Sequence, residues 1–151
     1  MTILHSSGRS CRSWYIVIFA LLFAAGGAGA EDVNLLVNLK EVRDAVGELR
    51  ISLYRDPETF RKEDRALKLI SVPATKGSVS LVFEGLPPGR YAIMAYHDEN
   101  SDGKLNLRFG MFPLEGYGLS NNPKVMGPPN FSDSAFDVGG TKTSTDIRLT
   151  Y

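Results

Sequence analysis

From residue 31 onward the chain alternates apolar and polar side chains in short runs, the period of two that sends successive residues to opposite faces of a strand. Val33, Leu35, Val37 and Leu39 form the first run. Leu49, Ile51 and Leu53 form the second, with Arg50, Ser52 and Tyr54 on the other side and Asp44 to Gly47 as the connection. Val79, Leu81 and Phe83 alternate with Ser78, Ser80 and Val82 in a third. Tyr91, Ile93, Ala95 and His97 share one face of a fourth, and Ile147, Leu149 and Tyr151 close the chain on a last one.

Between the third and fourth runs, Leu86-Pro87-Pro88-Gly89-Arg90-Tyr91 makes a rigid turn. A tyrosine placed just after it, ring inward and hydroxyl tied to nearby backbone, matches the tyrosine corner of Greek-key sandwiches. One helical signal stands out. Asp56-Pro57-Glu58 combines an N-cap, a proline at the first helical position and an acid near the positive helix end. Arg61-Lys62-Glu63-Asp64-Arg65 then lacks an apolar stripe, so residues 55–76 read as an exposed insert. Residues 106–140 are dense in Gly, Pro and Asn but carry Phe109, Met111, Phe112, Leu114, Tyr117, Leu119, Phe131 and Phe136. That much apolar surface predicts an ordered, packed loop platform, not a disordered segment. The whole pattern predicts an all-β chain: a single Greek-key, immunoglobulin-like (transthyretin-like) β-sandwich of about seven strands with one short helix.

The first 30 residues do not fit that pattern. Arg9 and Arg12 form a basic leader, Trp14 to Ala25 is an unbroken apolar run of 12, and Ala28-Gly29-Ala30 is a small-x-small cleavage site. Twelve residues fall short of the roughly 20 that a helix needs to cross a bilayer. The division is therefore a signal peptide, 1–30, and a β-sandwich domain, 31–151, in the periplasm or secreted, with no transmembrane segment after cleavage. The alternative is an uncleaved N-terminal anchor. The one cysteine, Cys11, lies in the leader, so the mature part has no disulfide. Of the 17 basic and 17 acidic side chains, the leader takes only Arg9 and Arg12, which leaves a mature net charge of −2. Such a balance offers nothing to nucleic acid or to an anionic membrane.

One polar stretch interrupts the strands with a chemical pattern. Asp98-Glu99-Asn100-Ser101-Asp102-Gly103-Lys104 places oxygens at alternate positions and then a glycine, the D-x-N-x-D-G form of a calcium loop. Asp98, Asn100 and Asp102 fit the first three ligand positions, the Lys104 carbonyl the fourth, and Asn106 lies at position nine. Phe109 falls at position twelve, where a helix-loop-helix site needs a bidentate glutamate, so the loop is not an EF-hand. Its remaining ligands must come from elsewhere, with Glu115, Asp133 and Asp137 as candidates. The competing reading is a polar hairpin turn, which uses the same residue types for local hydrogen bonds and positive φ.

Catalysis has a thin inventory. His97 is the one histidine after residue 30, and with Glu99 or Glu115 it makes the alternative of a small periplasmic enzyme working by acid and base chemistry. There is no thiol, nucleophile elbow, phosphate loop or dinucleotide fingerprint beside it. Tyr96 and Tyr117 offer rings on which a sugar can stack, the alternative of a glycan-binding module. The leading expectation is an exported non-enzymatic binding or structural domain, with a cell-envelope protein or glycan as partner and calcium as the ion that stabilises it.

The ordered set Leu86-Pro87-Pro88-Gly89-Arg90-Tyr91-Ala92, His97-Asp98-Glu99-Asn100, Asp102-Gly103-Lys104-Leu105, Phe109-Gly110, Pro113-Leu114-Glu115-Gly116-Tyr117-Gly118, Ser120-Asn121-Asn122 and Gly127-Pro128-Pro129 resembles the bacterial exported proteins of the domain of unknown function 2141 family. The likeness covers essentially the whole of residues 31–151. It implies an exported β-sandwich-like domain and brings no established activity with it. The piece from Leu86 to Tyr91 is also similar to transthyretin-like and collagen-adhesin repeat domains, which bears on fold alone. Mass spectrometry of the exported protein is expected to find Glu31 at its N-terminus; an intact Met1 in that fraction overturns the leader.

Overall fold

A computed structural model describes residues 31–125, 127–140 and 143–151. The expected leader, residues 1–30, lies outside the described residues. Five strands are long: β1 (Val33–Val42), β2 (Glu48–Tyr54), β3 (Lys68–Pro73), β4 (Gly77–Leu86) and β5 (Gly89–Asp98). Five more are short: β6 (Leu107–Arg108), β7 (Phe112–Pro113), β8 (Tyr117–Leu119), β9 (Phe136–Val138) and β10 (Ser144–Arg148), with a one-turn helix α1 (Phe131–Ser134) before β9.

Eight of the strands form two facing sheets, and β6 and β7 pair with each other as a separate hairpin. One has the order β10-β1-β4, with β10 parallel to β1 and β4 antiparallel to it. The other has the order β3-β2-β5-β8, all antiparallel, and β9 pairs with the start of β5. Consecutive strands β1 and β2 therefore lie in different sheets, and the chain crosses between them at Asp44 to Gly47. The period-two runs account for the core between the sheets. Leu35, Val37, Leu39, Phe83 and Ile147 from one sheet meet Leu49, Ile51, Leu53, Tyr91, Ile93 and Ala95 from the other in a single buried cluster. The chain is thus an all-β sandwich.

Tyr91 has the geometry of the tyrosine corner: its ring is fully buried and its hydroxyl donates to the Pro87 carbonyl oxygen at 2.6 Å. Along one side, Tyr117 of β8 and Thr150 exchange both backbone hydrogen bonds, at 2.9 and 2.8 Å, and tie the end of the chain to the second sheet.

Two expectations for residues 55–76 need correction. The helix expected at Asp56 is a set of turns followed by a 3-10 turn at Glu63–Arg65. The Asp56 carboxylate accepts from the Glu58 N–H at 2.8 Å and its carbonyl from the Thr59 N–H at 3.2 Å, so the chain closes at three residues and does not propagate. The supposed insert also contains β3, an edge strand ending on Pro73, a position that leaves no ladder donor unused. The described residues of the 106–140 platform form β6 to β9, α1 and turns around them.

Replacing Tyr91 by Phe removes the donor to Pro87 and is expected to lower stability by about 1–3 kcal/mol, a shift of several degrees in a thermal melt for a domain of this size. An unchanged melting temperature would mean that the hydroxyl contributes nothing to the corner.

Candidate functional site

Each strand of the second sheet has an inner face in the core and an outer face. Register decides what shares the outer face, because residues directly opposite in an antiparallel ladder point the same way. Ser52 lies opposite Met94, Arg50 opposite Tyr96, and Tyr96 in turn opposite Tyr117. This face is not left to water. Tyr54 packs edge-on against Phe60 and Phe60 against Phe131, which brings the segments after β2 and before β9 over the sheet. The covering is incomplete over Ser52, Met94, Tyr96 and Tyr117, where a cleft of about 610 Å³ opens, within the range of small-molecule sites. Arg61 and Glu63 stand on one wall, Gly103 to Leu105 with the β6–β7 hairpin on another, and Val125, Gly127, Pro128 and Pro129 on a third.

Glu63 is engaged by the sheet beneath it. Its carboxylate accepts from Arg50 Nη2 at 2.6 Å and Nε at 3.1 Å, a two-point pair that raises the Arg50 guanidinium further above its ordinary value. The Tyr96 phenol lies between them, pushed up by burial first and by the charge of Glu63 second.

The Asp98 loop forms the continuation of β5 below that wall. Asp98 has no solvent exposure, and its oxygens accept from the backbone N–H of Asp102 at 3.1 Å and of Gly103 at 2.8 Å. Asn100 Oδ1 accepts from the same Asp102 N–H at 3.1 Å, and Asp102 Oδ1 from the Lys104 N–H at 2.9 Å. The side-chain amides of Asn100 and Asn106 both donate to Asp102 Oδ2, at 3.2 and 2.9 Å. Ser101 and Gly103 take the positive φ values, 57° and 74°, that let the chain double back. Gly47 is equally constrained: its φ is 73°, and a Cβ there would overlap the Asp98 carbonyl oxygen.

Of the residues the sequence singles out, Asp98, Asn100, Asp102, Lys104 and Asn106 come together in this loop. Glu115 joins them from the bend between β7 and β8, accepting from the N–H of Glu99 at 3.1 Å and of Asn106 at 2.9 Å. Asp133 and Asp137 do not. Asp133 accepts from the Asn130 N–H at 2.8 Å as half of a capping box on α1. Asp137 pairs in register with Arg90, eight residues and about 26 Å along β5 from Asp98. Among the described residues, no three His, Cys, Asp or Glu side chains converge in a metal-ligating group. The oxygens of Asp98, Asn100 and Asp102 are met by N–H groups of the loop itself, the local hydrogen bonding of a polar turn.

His97 faces the other way, into the core, with no exposure. Its Nε2 donates to the Val46 carbonyl at 2.6 Å, which leaves Nδ1 to accept from the Tyr151 hydroxyl at 2.8 Å. That hydroxyl accepts in turn from the Arg43 N–H at 2.9 Å. Glu99 Oε1 lies 3.8 Å from Nδ1 and is itself paired with Arg43 at 2.6 Å. Both ring nitrogens of His97 are taken, and the cleft is on the opposite face of the strand.

Tyr96 and Tyr117, singled out from the sequence as rings, both line the cleft. Ser52, Tyr54, Arg61, Glu63 and Met94 line it too and went unnoticed. The available signal was a run of large or aromatic side chains, Tyr54, Met94 and Tyr96, on positions that alternation assigns to solvent.

Burial is the largest cause raising the phenols of Tyr54, Tyr96 and Tyr151. Their folded values lie above the ordinary unfolded value of about 10, so the stability they confer is complete below pH 10 and drains away as pH rises beyond it. Phenolate absorbance of the native protein is expected to lag that of the denatured chain, and Tyr96→Phe to remove part of the lag. Coincident titration of native and denatured samples contradicts this assignment.

No curated protein and no solved structure matches the chain. A family described as "Uncharacterized protein conserved in bacteria (DUF2141)" matches over residues 37–146, a span that runs from the middle of β1 through the cleft, the Asp98 loop and β9 into β10. The chain belongs to that family, the domain of unknown function 2141 family.

Proposed function

We propose that the protein is an exported, non-enzymatic binding domain of the cell envelope that receives a ligand in the cleft on the outer face of the second sheet. The observation that carries this reading is the cleft itself: about 610 Å³, floored by Tyr96, Tyr117 and Met94 and walled by three excursions of the chain. A sandwich that served only as a spacer has no need to hold that face open. The basic leader and its short apolar run support export, and the saturated ring of His97 favours a structural post over a proton carrier.

Calcium has an accessory place in this reading, as the ion that orders the Asp98 to Asn106 loop behind the cleft wall. Few charged ligands mean weak binding, in the range of about 10⁻⁴ to 10⁻³ M used by extracellular modules. At about ten times its dissociation constant the ion adds about 1.4 kcal/mol.

Differential scanning calorimetry in millimolar calcium against chelator is expected to show a rise of several degrees, with magnesium giving less because it holds its waters in a compact octahedral shell. Asp102→Asn is the informative variant, since Asp98→Ala would also strip the acceptors from two backbone N–H groups. It should lose the calcium shift. Ser101→Gly, at a non-ligand position with φ of 57°, should keep it. Equal melting temperatures with calcium and with chelator reduce the loop to a hairpin turn.

A further inference from the structure

We infer that the ligand of the cleft is an amphiphilic anion, its apolar body lying on the sheet floor and under the β6–β7 lip, its carboxylate or phosphate head held by Arg61 and Lys104. This deepens the binding reading above and rests on the cleft being the ligand site.

Charge comes first. Three charged side chains line the cleft: Arg61, Glu63 and Lys104. Glu63 is neutralised from below by Arg50 at 2.6 Å. Arg61 and Lys104 have no such partner: neither forms an ion pair with any carboxylate, and the described residues include every Asp and Glu of the chain. A protein whose mature part carries a net −2 thus places two uncompensated cations at this one mouth. Low-dielectric walls around such a pair focus its field outward and favour an incoming anion. Arg61 is also held at a φ of 67°, a costly conformation for a non-glycine residue, and such outliers gather where a side chain must be aimed.

The remainder of the lining is apolar. Met94 lies on the floor, while Leu107, Met111 and Phe112 hang from the lip and Pro128 and Pro129 face them. The lip leaves these groups in water: Met111 is 64% exposed, Phe112 60% and Leu107 43%. Contiguous exposed apolar side chains of this kind mark a binding surface in a protein of this size. A neutral hydrocarbon would use the lip and ignore the cations, and a small inorganic anion would use the cations and ignore the lip. An amphiphilic anion satisfies both, and the cavity is large enough for one drug-sized molecule.

Isothermal titration calorimetry on the exported protein tests this with four probes that share an eight-carbon chain, each below its micellar concentration: octanoate, octyl phosphate, octyl glucoside and octyltrimethylammonium. Octanoate and octyl phosphate are expected to bind at least about tenfold tighter than the other two, and the ranking between them tells a fatty acid from a phosphate-headed lipid as the source. Arg61→Gln combined with Lys104→Gln should remove that preference while leaving weak octyl glucoside binding intact. Met94→Trp, which fills the floor, should block every probe. Equal binding of the glucoside and the anions, abolished by Met94→Trp, overturns the anion assignment and leaves the cleft as a ligand site. No heat from any probe at millimolar concentration, or binding that Met94→Trp does not touch, overturns the assignment and the cleft reading together.

Discussion

A carboxylate cut off from water must be met by hydrogen-bond donors or be neutralised, and Asp98 sits at the end of β5 with no exposure at all. It finds its donors in the backbone of the residues that follow, Asp102 and Gly103, so the chain has to fold back within five residues of leaving the strand. Glu115, 6% exposed, imposes the same demand from the other side and draws its donors from Glu99 and Asn106. Two buried acids therefore stitch the outgoing and returning limbs of the loop together. Once they are satisfied, the chain enters β8 in the register that puts Tyr117 beside Tyr96. The cleft floor is set by acids that do not line it.

The neighbouring residue works on the opposite face. His97 joins the β1–β2 crossover, through Val46, to the final residue, through the Tyr151 hydroxyl, and the Arg43 N–H completes the series. Each member donates to the next, and losing either neighbour of His97 leaves a nitrogen of its fully buried ring unpaired, which costs more than the bond itself is worth. Above them Arg43 stacks on the Tyr151 ring at 4.5 Å and pairs with Glu99. Such an exposed ion pair adds little by itself; its geometry matters because it holds Arg43 against the ring whose hydroxyl meets His97.

The inward faces of β1, β2, β4, β5 and β10 were legible because one-sided burial writes a period of two, and Leu49, Ile51 and Leu53 repeat it without error. The turn before Tyr91 was legible for a different reason: proline and glycine limit the backbone to few states. What period two cannot report is a second layer. Tyr54 reads as an outward residue and is outward from the core, yet it is 1% exposed because Phe60 covers it. That cover comes from residues distant in sequence, so no local pattern announces it. The same limit hid β3, an edge strand whose Leu69 stays exposed, and with it the cleft. Asp133 shows the converse: Asn130 three residues before it is a capping pair written in the local sequence, a signal outweighed by its appeal as an extra ligand.

Loop and lip are mechanically one element. The β6–β7 hairpin has only two paired positions on each side, too few to persist alone. Its anchor is Asn106, whose carbonyl accepts from the Leu114 N–H at 2.9 Å and whose own N–H is held by Glu115. Asn106 also reaches Asp102 through its side chain. Whatever orders the Asp98 loop therefore orders the lip that carries Met111 and Phe112 over the cleft, and whatever orders the lip favours the same hydrogen-bonded arrangement of the loop. By linkage the two effects must be equal in free energy. The sandwich beneath does not need to move for that exchange to occur, because every bond that carries it lies between Asp98 and Glu115.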